Sequence, residues 1–231
     1  MIGPRTHPSS LGLVAALLVA CGSSKQDTPA ASQNAPPVRS TSPTDQASDT
    51  GEPRAISHSN GRIRRQGPTL EIQVGNSRVV ALTDDTTEGG SAIAYRYDRH
   101  LDPLPFHGIR TVFYEGSGYL LVHDSTGRQT YLDVRPEIAP DGTGWVTASF
   151  DLVAQFDPNR VVIGRIVGDT IAVDWSTAPT EWGPEGMRWV SKDSIRFTEQ
   201  WATDRPDSTV PRPALVVRTP TGWKLIDSEH P

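Results

Sequence analysis

From Thr69 onward, short stretches of alternating or β-branched residues follow one another with no run of helical period over ten or more residues. LEIQV, RVVAL, AIAYRY, TVFY, YLLVH, QTYLDV and WVTASF come first, and VVIGRI, TIAVDW, RWVS, SIRFTE, ALVVR and WKLID complete the series. Each has the length of a strand, and such alternation turns one face to a core and the other to water. Glycine meets polar residues at the junctions: Gly75-Asn76, Thr126-Gly127, Asp141-Gly142, Gly168-Asp169 and Thr221-Gly222. These pairs tolerate the positive φ that tight hairpins demand. The expectation is a single antiparallel all-β domain over residues 68–231, large enough to need neither a disulfide nor a metal.

The preceding stretch differs in kind. Leu11 to Ala20 is an apolar run of ten residues, about half of what a membrane span requires. It lies behind Arg5 and ends in small residues, which fits a secretory signal peptide over 1–20. Residues 21–67 are rich in Ser, Thr, Pro, Ala, Asn, Gln and Asp. Such a composition buries too little to offset its ordering entropy, so a disordered linker is expected. A flexible tether of about 45 residues spans roughly 35 to 40 Å. Arg62, Arg64 and Arg65 near its end are expected to be solvated linker charges, within reach of anionic head groups.

Leu18-Val19-Ala20-Cys21 resembles the lipobox of bacterial lipoproteins. That resemblance implies cleavage before Cys21, diacylglycerol on its thiol and acylation of the new amino terminus by palmitate-like chains. Several chains make a durable anchor where one holds marginally, because each buried methylene contributes about 0.8 kcal/mol. Cys21 is the chain's single cysteine; a free thiol outside the cytoplasm invites intermolecular pairing, whereas a lipidated one is consumed. The plain alternative is an ordinary signal peptide with an incidental cysteine. The implied location is extracytoplasmic, on the cell membrane or outer membrane of a bacterium. Gly22 after the cysteine points to the outer membrane where the sorting rules of double-membraned envelopes apply.

The hairpins also resemble one another. LLVHDSTGRQTYLD (120–133) and LVVRTPTGWKLID (215–227) share paired apolar residues, a Thr-Gly turn and a closing Leu/Ile-Asp, and VVIGRIVGDTIAVDW (161–175) has the same layout. PEIAPDGTGWVTASFD (136–151) resembles the Pro-Asp-Gly hairpin of TolB-like and WD40-like propeller repeats, with a looser echo in TEWGPEGMRWVSKDSIRFTE (180–199). The resemblance implies propeller-like repeated hairpins, one blade per unit of roughly 40 to 55 residues. A two-sheet β-sandwich is the alternative. The domain is also similar to uncharacterised bacterial envelope proteins, a likeness that carries no activity.

For chemistry, HLDPLPFHG offers His100, Asp102 and His107. An imidazole and a carboxylate at alternate strand positions share a face and suit a cation such as zinc. Pro103 and Pro105 break a strand, so the segment is expected to be a loop with solvated polar side chains. His123, beside Asp124 at a strand end, is expected to hydrogen-bond a turn. Gly116-Ser117-Gly118 lacks the full spacing of a nucleophile elbow. Neither Asp84, Asp85 and Glu88 nor Asp157 and Asn159 carry the pattern of a calcium loop. Trp175, Trp182, Trp189 and Trp201 lie within 27 residues; each is core filling or part of an exposed shelf for a sugar or peptide. Trp182, flanked by Gly183 and Pro184 in an expected loop, is the first candidate for such a shelf.

The formal charge of −5 comes from interleaved acidic and basic residues, which excludes the concentrated basic patch of a nucleic-acid groove. The expected function is a membrane-anchored lipoprotein with a β-rich binding domain for a protein or surface polymer. The possible ligand contacts are Trp182, Trp189 and His107, with no cofactor, catalytic residue or metal ligand assigned. The alternative is an envelope hydrolase or metal-binding enzyme using His100, Asp102 and His107.

Overall fold

A computed structural model describes residues 51–87, 92–152, 159–205 and 208–227. The signal segment, Cys21, the tether to residue 50, Glu88 and Asp157 lie outside the described residues. Described elements are one short helix, α1 (Gly51–Ser57), and fifteen strands. The strands form four antiparallel up-and-down sheets in chain order, none of them closed. The two-sheet sandwich is thereby set aside.

The first sheet runs β1 (Ile63–Gln66), β2 (Thr69–Val74), β3 (Arg78–Thr83). The second runs β4 (Ile93–His100), β5 (Phe106–Phe113), β6 (Ser117–His123), β7 (Gln129–Leu132). The third contains β8 (Glu137–Ile138), β9 (Gly144–Ser149), β10 (Arg160–Val167) and β11 (Thr170–Thr177); the fourth contains β12 (Trp182–Ser191), β13 (Ser194–Ala202), β14 (Thr209–Thr219) and β15 (Gly222–Asp227). Alternation along the strands explains their two faces. In β2, Leu70, Ile72 and Val74 are fully buried while Glu71 and Gln73 are not.

Three apolar clusters join consecutive sheets, so each sheet buries its stripe against the next one in the chain. Ile63, Leu70 and Ile72 of the first sheet meet Tyr97, Ile109 and Leu120 of the second. Phe106, Tyr119 and Leu121 of the second meet Ile138, Ile166 and Ile171 of the third. Val146, Val161 and Ile163 of the third meet Phe197, Val216 and Trp223 of the fourth.

The domain boundary expected after residue 67 is corrected, because α1 and β1 belong to the fold. Gln66 and Thr69 pair across the Gly67-Pro68 turn, and a boundary there would split a hairpin. Ile63 is buried, while the two arginines that follow it, Arg64 and Arg65, made the segment look like tether. Arg65 pairs with Glu52 at 2.6 Å and with Asp84 at 3.5 Å, so it is no free linker charge.

Glu52 also accepts the Tyr97 backbone N–H at 2.8 Å, and this fixes α1 on the edge of β4. A seven-residue helix with no buried residue does not hold itself. Glu52→Ala is therefore expected to lower stability by about 1 to 2 kcal/mol and to expose the α1–β1 link. Limited proteolysis should cut there faster than in the native chain.

Candidate functional site

The site is built by the β4–β5 hairpin and closed by α1. His100, the last residue of β4, stands opposite His107, the second residue of β5. Their rings meet edge to face with centroids 5.1 Å apart. Residues 101–105 of HLDPLPFHG form the expected loop, while its ends are strand: His100 closes β4 and residues 106–108 open β5, which buries His107. Pro103 and Pro105 occupy that connection, where neither interrupts a ladder.

His107 is 3% exposed. Burial, reinforced by the nearby charges of His100 and Arg62 and only partly opposed by Asp124 and Asp102, lowers its pKa to about 4. It is neutral at pH 7. Its Nδ1 lies 3.3 Å from the Tyr97 hydroxyl. Burial raises that phenol to about 12, so the hydroxyl keeps its proton and is available as a donor to Nδ1. The other ring nitrogen, Nε2, is buried without a protein partner, and it carries the imidazole proton when the phenol donates to Nδ1.

Around this histidine opens a cavity of about 810 Å³, walled by α1 and the Ser59–Arg62 turn on one side and by β4, β5 and Arg135 on the other. A second recess of about 480 Å³ shares Arg99, His100, Asp102 and Arg135 with it. Five arginines line the larger cavity, Arg54, Arg62, Arg99, Arg110 and Arg135, against two carboxylates, Asp98 and Asp102. Asp98 lies 3.4 Å from Arg99 and 3.5 Å from Arg135, and it accepts the Tyr119 hydroxyl at 2.8 Å. Asp102 accepts from His100 Nδ1 at 2.9 Å while remaining 86% exposed, so that acceptor is open to water. Volume, concavity and a few convergent polar groups are the marks of a ligand pocket.

The other sequence candidates lie elsewhere. Trp182 opens β12 rather than a loop, is 8% exposed, and stacks on Phe197 at 5.7 Å. Its ring lies in the core between the third and fourth sheets, and the Phe150 ring lies against neighbouring Gly183. Trp189 is half-buried; its backbone N–H and its Nε1 both donate to Glu137, at 2.9 and 3.1 Å, and its ring meets Trp223 edge to face. Trp175 packs against the same cluster, as does Trp201, over whose ring Arg212 lies. The structure therefore does not gather Trp182, Trp189 and His107 into one site; only His107 lines the cavity.

His123 behaves as its position beside a turn implies, accepting at Nδ1 from the backbone N–H groups of Ser125 and Thr126. No group of three or more potential metal-ligating side chains occurs among the described residues. Sequence reasoning missed Arg54, Arg62 and Tyr97 as site residues. The first two lay in apparent linker, and the third was one apolar position in a strand. No protein-family model, curated protein or solved structure matches the chain.

Proposed function

We propose that the chain is an extracytoplasmic bacterial lipoprotein, anchored through Cys21, whose all-β domain binds a ligand in the cavity under α1. The observation that carries the binding part is that cavity: a recess of small-molecule size whose walls are braced by ion pairs while the buried Nε2 of His107 faces no protein partner. The anchor rests on the Leu-Val-Ala-Cys motif. Among the described residues no helix is long and apolar enough to cross a membrane.

The domain is further proposed to be propeller-like, with each sheet a blade. In support, the last hairpin of three sheets is the repeated one: β6–β7, β10–β11 and β14–β15. The Pro-Asp-Gly hairpin and its echo fall on the first hairpins of the third and fourth sheets. A ligand cavity at the inner edge strand β4 suits that arrangement.

A hydrolase is the second reading, favoured by the 2.9 Å His100–Asp102 pair beside the cavity. It needs a nucleophile within reach. Ser59, which lines the cavity, already donates its hydroxyl to the Ile56 carbonyl at 2.6 Å and accepts the Ile63 N–H at 3.2 Å.

Mass spectrometry of the native protein tests the anchor. A diacylglyceryl-modified, amino-acylated Cys21 as first residue is expected, with the chain in the membrane fraction. Cys21→Ser should move it wholly to the soluble fraction, since several acyl chains at about 0.8 kcal/mol per methylene are lost at once. An unmodified thiol in the native chain would end the lipoprotein reading.

A further inference from the structure

We propose that the cavity under α1 is an oxyanion site, taking a carboxylate or phosphate group between the guanidinium groups of Arg54 and Arg62 and the buried Nε2–H of His107. The inference rests on the reading of this cavity as a binding site and names the chemical class of what binds there.

Charge comes first. Of the arginines lining the cavity, Arg99 and Arg135 share Asp98, which is held in place by the Tyr119 hydroxyl. Arg54 and Arg62 have no carboxylate partner among the described residues, although Arg65, three positions from Arg62, has two. Two cations in one cavity with no carboxylate partner among the described residues concentrate anions there, and a guanidinium presents the flat fork that matches carboxylate and phosphate oxygens. Arg62 is near enough to His107 for its charge to act on that ring.

Position comes next. Arg54 is on α1 and Arg62 precedes β1, whereas His107 is on β5 of the second sheet. The two arginines are held near His107 by the Glu52 contacts to the Tyr97 N–H and Arg65, together with the packing of Ala55, Ile56 and Ile63 on the first core cluster. The brace engages Glu52, which does not line the cavity, with Arg65 rather than with Arg54 or Arg62. Ion pairs that stabilise α1 are thus segregated from the charges that line the cavity.

Hydrogen bonding supplies the third part. The Nε2 of neutral His107 is buried without a partner, and in the tautomer in which Tyr97 donates to Nδ1 it is a donor lacking an acceptor, an unfavourable state that a ligand oxygen relieves. A cation would meet two guanidinium charges and a nitrogen whose lone pair is occupied by a proton. The cavity volume, about 810 Å³, leaves room for the rest of a molecule behind the anionic group.

Calorimetric titration of the full chain in detergent tests this, with inorganic phosphate and citrate as probes and a neutral oligosaccharide alongside. Saturable binding of phosphate or citrate is expected, weakened at least about tenfold in the Arg54→Gln/Arg62→Gln double variant. His107→Phe should weaken it comparably. Arg128→Gln, which removes an exposed arginine paired with Asp169 elsewhere, should leave it unchanged. Vesicles of phosphatidylglycerol mixed with the Cys21→Ser chain separate the two sources of phosphate. Sedimentation that depends on Arg54 and Arg62 assigns a lipid head group, and binding of free anions without sedimentation assigns a soluble ligand. Equal anion affinity in the double variant and the native chain overturns the proposal. Oligosaccharide binding that phosphate and citrate do not share overturns it too, while leaving the cavity a binding site; no binding of any probe removes both readings.

Discussion

Gly164→Ala is expected to lower the free energy of unfolding by about 3 kcal/mol, at the upper end of what one added methyl does in a packed interior. Gly164 lies in the middle of β10, between Trp145 on β9 and Val173 on β11. A Cβ there would stand 2.2 Å from the Ala172 carbonyl oxygen and 2.5 Å from the Trp145 ring. The oxygen belongs to the backbone of β11, whose pairing with β10 shifts register between Ile163 and Gly164. The indole is 2% exposed, so neither neighbour can withdraw into water. Gly168, in the following turn, provides the contrast. It has φ +61° and open space around it, so Gly168→Ala meets only backbone strain of about 1 kcal/mol. Urea unfolding should show a large drop in midpoint for the first variant, a small one for the second, and an unchanged slope in both. A Gly164→Ala midpoint within error of native would mean that the third sheet is not packed as described.

The third sheet also shows what was legible beforehand. VVIGRI and TIAVDW were readable as β10 and β11 because β-branched residues flank a glycine turn, and Gly168 takes the expected positive φ. That Gly164 is a packing position was not readable, since a glycine within a strand announces a close approach but not the atom approaching. The same limit applies to β1 and α1. IRRQ has one apolar residue, and its burial depends on Tyr97 and Ile109, which lie dozens of residues away. GEPRAIS has no apolar stripe, and its anchor is a carboxylate bound to a backbone N–H of another sheet. The cavity was therefore half legible: His100, Asp102 and His107 stood out as chemistry-bearing types, but their arginine neighbours come from a segment whose composition resembles linker. Trp182 shows the reverse error. Flanking Gly and Pro signalled a loop, yet pairing with Trp201 and stacking on Phe197 make it a buried strand residue.

Acidification should expose the buried histidine through stability. His107 has a folded pKa of about 4 against an ordinary value of 6.5. The sign follows from proton counting: between those values the unfolded chain binds the proton and the folded chain does not, so stability falls as pH falls. The full contribution is present above about pH 6.5, declines through the interval and is gone near pH 4, a loss of roughly 3 kcal/mol. Burial is the main reason the fold holds it neutral, reinforced by His100 across the strand pair and by Arg62, with Asp124 and Asp102 too little to compensate. The carboxylates with lowered pKa values, Asp85 and Asp141, act in a different window, because both titrate below 3.8. Urea midpoints measured at half-unit steps from pH 7.5 to pH 4 should therefore fall steeply in the native chain. In His107→Gln, whose amide stays neutral throughout, the slope over that interval should largely disappear. An equal slope in both proteins would place the titration elsewhere and would remove the neutral imidazole on which the chemistry of the cavity depends.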